Sequence, residues 1–451
     1  MKPSQTYIYM DKIFRAIERL IPKKLFKMGQ PIYHYSLALL GAIIYRFPSK
    51  KIKVVAVTGT KGKTSTLEFV NAVLEEAGKK TALAGTLRFK IGNESKPNLY
   101  KMTVPGRMFM QKFLRKAVNT GCEYALIEIS SEAVKQYRNK FIDLNALIFT
   151  NLAPEHIESH GSYKKYVEAK LSIAKDLEES PKKNKVIIVN IDDKEGEKFL
   201  KINVLNKITY SLSEVDNVIT SEDSTKFTYK GVRMETRLPG KFNIYNILGA
   251  IKYAENEKIA LSIVKRAILK LGEIKGRAQI INEGQSFKVV VDYAHTPDSL
   301  KAIYETFLDS RKIGVLGSCG GGRDKWKRKE MAEIADKYCE EVILTDEDPY
   351  DDEPREIVED IARHFKNLHA PASTQRAGGQ AGKKPEIIMN RREAIAIALR
   401  VAKEGDVVII TGKGTDPYIM RKNGYKEKWS DAEVAGEELQ KIKNQISKIK
   451  M

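Results

Sequence analysis

From Lys51 onward the chain repeats one pattern: a short unbroken apolar run, a glycine turn, then a stretch whose apolar residues recur every three or four positions. An unbroken run suits a strand buried on both faces, and the stripe suits a helix covering it, so the pattern predicts a parallel sheet wrapped in helices. KIKVVAVTG (51–59) reads as the first strand. TSTLEFVNAVLEEAG (64–78) reads as the helix after it, with Leu67, Val70, Val73, Leu74 and Ala77 on one stripe and Gly78 as its stop. YALIEIS, ALIFTNL and KVIIVN supply three more strands of that sheet. Residues 205–238 alternate at period two and are rich in Thr, Ser, Val and Tyr, which predicts a small β excursion before GKFNIYNILGAIKYAENEK returns to helix.

A second series opens near Gly276, with strands FKVVVDYA, KIGVLGS, EVILTD, PEIIMN and DVVIITG and helices REIVEDIARHF and RREAIAIALRVA. The expected fold is α/β throughout: a central domain with a mostly parallel sheet over 50–275, then a C-terminal Rossmann-like α/β domain over 276–451. Ahead of them, residues 1–49 alternate basic and apolar stretches at helical spacing. This short helical N-terminal segment is expected to pack on the central domain; weak association with an anionic membrane surface is the alternative. NLHAPASTQRAGGQAGKKP (367–385) is too polar and irregular to pack and reads as a mobile surface loop.

The 451 residues include 78 Lys and Arg against 58 Asp and Glu, a formal charge of +20 that favours anionic partners. The lysines are spread along the chain and no RNA-binding or zinc-finger signature accompanies them, so a nucleic-acid partner is not expected. Cys122, Cys319 and Cys339 form no CxxC pair, the start MKPSQTYIYMDKIF lacks the order of a signal peptide, and no apolar run approaches the roughly 18 residues of a membrane span. A cytoplasmic monomer is expected.

The chemistry begins at VAVTGTKGKTST (55–66), where a strand runs into a helix through glycines and lysines. Backbone N–H groups at a helix N-terminus face phosphate, a lysine neutralises it, and a hydroxyl can reach Mg²⁺. Thr58, Gly59, Thr60, Lys61, Gly62, Lys63, Thr64 and Ser65 therefore form a candidate P-loop for a phosphate group, with Lys63 as the phosphate lysine and Thr64 as the metal-facing hydroxyl. The strict pattern has glycine where this chain has Val57, and a plain glycine-rich turn is the alternative.

TGTKGKTS resembles the ATP loop of the Mur ligase family, whose members usually have Asn at the position of Lys61. TVPGRMFMQKFLRKAVNTGCEYALIEISSEAVKQYR, TNLAPEHIESHGSYKKYVEAK, VDYAHTPDSL and GSCGGGRDKWKR resemble the same family in the same order, over roughly residues 51–440. The likeness is to ligases adding the third residue of the peptidoglycan stem. It implies ATP and Mg²⁺, UDP-MurNAc-L-Ala-D-Glu and a free amino acid, and a carboxylate activated as an acyl phosphate for attack by an amine. Because the reacting groups are mutually repelling anions, cations and positioning should carry such catalysis.

The resemblance makes Lys63, Glu128, His156 and Lys170 the catalytic set. Glu128, closing the strand ALIE, and His156, after ALIFTNL, would hold Mg²⁺ with Thr64; Lys170 would be carbamylated by CO₂ and ligand a second Mg²⁺. Taken without the resemblance, Lys170 reads as an exposed helix lysine. Asn151, Asn243 and Asn246 would lie around the nucleotide, although each residue type also suits a cap. Asp292 would contact the ribose with His295 beside it, His295 having a structural turn as its alternative. Arg323 and Lys327 would reach the phosphates from the second domain, which implies domain closure.

For the acceptor, Thr103, Val104, Ser130, Gln136 and Arg138 match family positions in contact with the muramoyl dipeptide, while Glu132 replaces a histidine. For the incoming amino acid, Glu347, Asp348, Pro349 and Tyr350 stand where diaminopimelate ligases present Asp-Asn-Pro-Arg. An acidic pair facing a side chain would suit a distal ammonium and so L-lysine or a similar diamino acid; a solvated acidic loop running on through Asp351, Asp352 and Glu353 is the alternative. Gly412, Asp416 and Arg323 would complete that site. About fifty residues precede the ATP loop, half the family's usual number, so a reduced, different or absent UDP site is expected. Folylpolyglutamate synthetase, a ligase of lipid-linked precursors, and a non-catalytic ATP-binding protein recruited to polyanions remain the alternatives; the joint presence of Lys63, Glu128, His156 and Lys170 speaks against the last.

Overall fold

A computed structural model describes residues 23–366 and 384–449. Residues 1–22 of the N-terminal segment, and 367–383 of the Gly, Ala and Gln-rich stretch, lie outside the described residues. Eight strands form the first sheet: β1 (Lys53–Thr58), β2 (Thr81–Ala84), β3 (Arg88–Ile91), β4 (Glu94–Pro97), β5 (Tyr124–Glu128), β6 (Ala146–Phe149), β7 (Val186–Asn190) and β8 (Asn206–Tyr210). They are ordered β4-β3-β2-β5-β1-β6-β7-β8, and only the β3 and β4 edge runs antiparallel. Side chains alternate between two buried layers. Val55, Val57, Leu126 and Ile148 face one, and Val54, Ala56, Leu147 and Phe149 face the other, which is why these strands read as unbroken apolar runs.

The helix α1 (Lys23–Ile44) precedes β1, and α2 (Lys63–Glu76) follows it. The buried side of α2 is wider than a single stripe, taking in Phe69 with Leu67, Val70, Val73 and Leu74. The reason is that two later helices, Phe242–Asn256 and Leu261–Leu271, both pack on it. α3 (Arg107–Asn119) lies on the other layer, and α1 closes on α3 through Ala38, Gly41 and Ala42. The expected β excursion divides: Asn206–Tyr210 joins the main sheet as its edge, and β9 (Val215–Thr220), β10 (Thr225–Tyr229) and β11 (Val232–Thr236) form a separate antiparallel sheet. The β2–β4 hairpins have no counterpart in the sequence reading. These strands are four residues each, and Glu94–Pro97 is exposed throughout, so no apolar run marks them.

The second sheet comprises β12 (Gln279–Ile280), β13 (Lys288–Val291), β14 (Lys312–Leu316), β15 (Glu341–Leu344), β16 (Glu386–Ile387) and β17 (Val407–Ile410). Its order is β12-β13-β17-β14-β15-β16, parallel except for β12. The loops at the carboxyl ends of β1, β5 and β6 and those after β13 and β14 line one cavity of about 600 Å³ between the two sheets, the end at which parallel α/β sheets place their ligands. Among the described residues, no helix is long and apolar enough to cross a membrane.

Candidate active site

The floor of the cavity is the turn from β1 into α2. Gly59 (φ 150°) and Gly62 (φ 76°) let it pass where a side chain could not: a Cβ would stand 1.9 Å from Thr150 Oγ1 at Gly59 and 2.2 Å from Asn246 Oδ1 at Gly62. Asn151 clamps the turn, accepting from the Lys61 N–H at 2.9 Å and donating to the Lys61 carbonyl at 3.2 Å. Lys63 folds back so that Nζ donates to the Thr60 carbonyl at 2.8 Å. Gly62→Ala is expected to cost about 1–3 kcal/mol, from a strained positive φ and the clash with Asn246; a denaturant titration against the parent protein measures it.

Glu128 ends β5, 2% exposed, and its Oε2 accepts from Thr64 Oγ1 and the Thr86 N–H, each at 3.0 Å. Among the described residues it forms no ion pair, so a buried carboxylate stands beside the P-loop with neutral donors only. His156 reaches the same cavity from a left-handed residue (φ 56°) in the loop after β6. Burial lowers its pKa, which favours the neutral imidazole, the form that can ligate a metal. No group of three or more His, Cys, Asp or Glu gathers there among the described residues.

Lys170 overturns what its residue type suggests. It projects from α4 (Tyr163–Glu179) beneath the P-loop, 1% exposed, and donates to the Gly59 carbonyl at 2.7 Å. Tyr166, one turn earlier, shares a hydrogen bond with Thr60 Oγ1 at 2.8 Å. Burial first, then the nearby Lys63 ammonium, push the Lys170 amine well below its ordinary pKa.

From the second domain, Asp292 accepts from the Ala278 and Ala294 N–H groups at 2.6 and 2.7 Å. Burial raises its pKa, against the pull of Arg277. His295 bridges the domains: Nδ1 lies 2.6 Å from the Tyr293 carbonyl and Nε2 lies 2.9 Å from Glu155 Oε1. Only an imidazolium donates to both, whereas burial and Lys61 take the ring down to about 4, and a neutral ring keeps one of the two bonds. Glu155 also pairs with Lys61 at 3.5 Å; burial would raise its carboxyl, but Lys61 and the His295 bond hold it well below the carboxylate range.

Of the expected nucleotide residues, Thr60 to Ser65, Asn151, Asn246, Asp292, His295 and Arg323 line the cavity. Thr58 and Gly59 lie beneath it, the Thr58 hydroxyl bonding the Ile129 carbonyl at 3.1 Å. Asn243 stands one layer back, accepting from Asn246 Nδ2 at 3.1 Å. Lys327 also does not line the cavity, because its Nζ donates to the His295 carbonyl at 3.0 Å. Arg277, which lines the cavity with its guanidinium 4.7 Å from the centre of the Tyr293 ring, and Glu155 were missed; Glu155 sits beside His156 in TNLAPEHIESH, but nothing local marks its long-range partners.

On the acceptor side, Thr103 and Ser130 reach the cavity, Thr103 within 3.0 Å of the Thr86 hydroxyl. Arg138 instead braces this region, donating to the Val104 carbonyl at 2.5 Å and to Gln136 Oε1 at 2.6 Å. Glu132 accepts from the Ser159 hydroxyl at 2.6 Å and lies 3.5 Å from His160, tying its helix to the turn after His156.

The acidic pair expected to face the incoming side chain does not do so. Asp348 is 3% exposed, with Lys101 at 2.6 Å on one oxygen and Lys413 at 2.9 Å on the other. Glu347 is turned inward: Cys319 Sγ donates to its Oε1 at 3.0 Å, and its Oε2 lies 2.3 Å from where a Gly412 Cβ would be. Asp416 completes a square, 3.1 Å from both lysines. Pro349 and Tyr350 continue the loop, the Tyr350 ring 5.9 Å from the Arg323 guanidinium. Lys101 belongs to the central domain and Asp348, Lys413 and Asp416 to the second, so the square joins them.

The Mur ligase middle domain matches residues 57–254, and the Mur ligase glutamate ligase domain matches 276–414. The chain belongs to the Mur ligase family. A UDP-N-acetylmuramoyl-L-alanyl-D-glutamate--2,6-diaminopimelate ligase from Syntrophomonas wolfei is 34% identical over 89% of this chain and 81% of its own length. A solved structure of a ligase of that name is 27% identical, with a TM-score of 0.57 over 86% of this chain and 78% of the other. The fold also matches a Mycobacterium tuberculosis folylpolyglutamate synthase complexed with ADP, at 15% identity and a TM-score of 0.63 over 84% of this chain and 91% of that one. As a Mur ligase the protein is an ATP-dependent ligase that forms amide bonds.

Proposed function

We propose that this Mur ligase joins a diamino acid to the D-Glu carboxylate of UDP-MurNAc-L-Ala-D-Glu, using ATP to form an acyl phosphate. The cavity supports this reading: the P-loop, Asp292, His295 and Arg323 of the second domain, and Glu128, a carboxylate without a cationic partner among the described residues, all line it. Lys63 meets the transferring phosphoryl group, Arg323 offsets charge from the other side, and Thr103 and Ser130 orient the acceptor.

The donor set fits Mg²⁺: Glu128 and the Thr64 hydroxyl are hard oxygen ligands, Glu128 has no cationic partner among the described residues, and His156 is held toward neutrality. Bound there, the ion would neutralise phosphate charge. Lys170, buried and held toward the free amine, can add CO₂ and release a proton, becoming an anion beside the P-loop.

For the amino acid, the relatives' names support 2,6-diaminopimelate. With Asp348 taken up by Lys101 and Lys413, the basis for preferring L-lysine is removed. ADP release by the purified chain with ATP, Mg²⁺ and UDP-MurNAc-L-Ala-D-Glu is expected to depend on added meso-diaminopimelate. Release indifferent to every amino acid supplied would refute the reading.

A further inference from the structure

α1 is apolar on opposite sides. The inner side, Ala38, Gly41 and Ala42, is small and lies close on α3, where a Cβ on Gly41 would stand 3.2 Å from Met108 Cα. The outer side holds Ile32, Leu40, Ile43 and Ile44, all exposed, Ile32 to 73% and Ile43 to 54%. At helical spacing these four fall within roughly a third of the circumference. A helix apolar on both sides calls for a second apolar surface.

Charge selects that surface. α1 with the turn after it (23–51) has six Lys and Arg, α3 has four, and neither has an Asp or Glu. Arg46, Lys50 and Lys51 are exposed just past the end of the stripe. A second copy meeting this face across a two-fold axis would bring the same cations against themselves, whereas an anionic bilayer offers phosphates to the cations and a hydrocarbon boundary to the isoleucines.

We propose that α1 docks this ligase in the plane of an anionic lipid surface, its outer stripe entering the headgroup boundary and the basic residues just past its C-terminal end meeting lipid phosphates. The full chain is expected to sediment with vesicles of phosphatidylcholine mixed with phosphatidylglycerol, not with phosphatidylcholine alone, and to be released as salt rises. Leu40→Glu with Ile43→Glu should weaken partitioning by about tenfold or more, and Lys50→Glu with Lys51→Glu should also weaken it. Both variants lie outside the active site, so unchanged ADP release reports that they fold. Absence of sedimentation with anionic vesicles at low salt would overturn the proposal. So would sedimentation indifferent to Leu40→Glu with Ile43→Glu, which means adsorption by charge alone, or a concentration-dependent dimer that this variant abolishes, which means a second copy covers the stripe.

Discussion

Lys170→Met is expected to lower kcat for ligation by about a thousandfold or more, while the protein stays folded and is at least as stable as the parent at neutral pH. The two halves of that outcome come from the same burial. The amine is 1% exposed beneath the P-loop with one hydrogen bond, to the Gly59 carbonyl, and methionine fills its volume without a charge to desolvate. The folded chain holds the Lys170 proton less tightly than the unfolded chain does. Between the lowered folded value and the ordinary 10.5, the unfolded state therefore binds more protons, and stability contributed by this group rises with pH. The penalty is absent above 10.5, grows as pH falls through that window, and is complete below the folded value. Denaturant titrations in bicarbonate-free buffer at neutral and alkaline pH should show a shallower pH dependence in the variant. Near-parental kcat in Lys170→Met would remove this amine from the chemistry.

Asp348→Asn is expected to lower kcat/KM for the amino acid by about a hundredfold, mostly through KM. The substitution leaves Lys101 and Lys413 facing each other with Asp416 as their only shared carboxylate. Removing one partner of a buried pair costs about 3–5 kcal/mol because the remaining charge is uncompensated. The effect falls on the contact between the domains, since Lys101 comes from the loop before α3 and Asp348 follows β15. Adding Lys101→Met to Asp348→Asn removes the surplus cation and should restore part of the loss, a coupling that a double-mutant cycle isolates. Additive losses would show that the square does not act as a unit.

The strands that are buried on both faces were legible because an unbroken apolar run such as VVAV or LIFT has few other uses. Glu128 and Asn151 were singled out by the resemblance, whereas the P-loop was legible for a related reason: its chemistry depends on a strand end, and strand ends are visible. Lys170 was not, because a lysine at helical spacing looks the same whether it meets water or the underside of a loop; the resemblance alone singled it out. The acidic run from Glu347 to Glu353 misled for the complementary reason. Its charge is visible, but the cations that consume it, Lys101 and Lys413, are separated from Asp348 by 247 and 65 residues. Edge strands as short as Glu94–Pro97 leave no pattern to find.

Glu155 touches both halves of the molecule, holding Lys61 of the phosphate loop on one side and His295 of the second domain on the other. Nucleotide affinity and domain closure are then linked reciprocally: whatever factor ATP contributes to closing, closing contributes to holding ATP. Glu155→Gln, which leaves the shape and removes the charge, should therefore loosen ADP most where the amino acid is already bound.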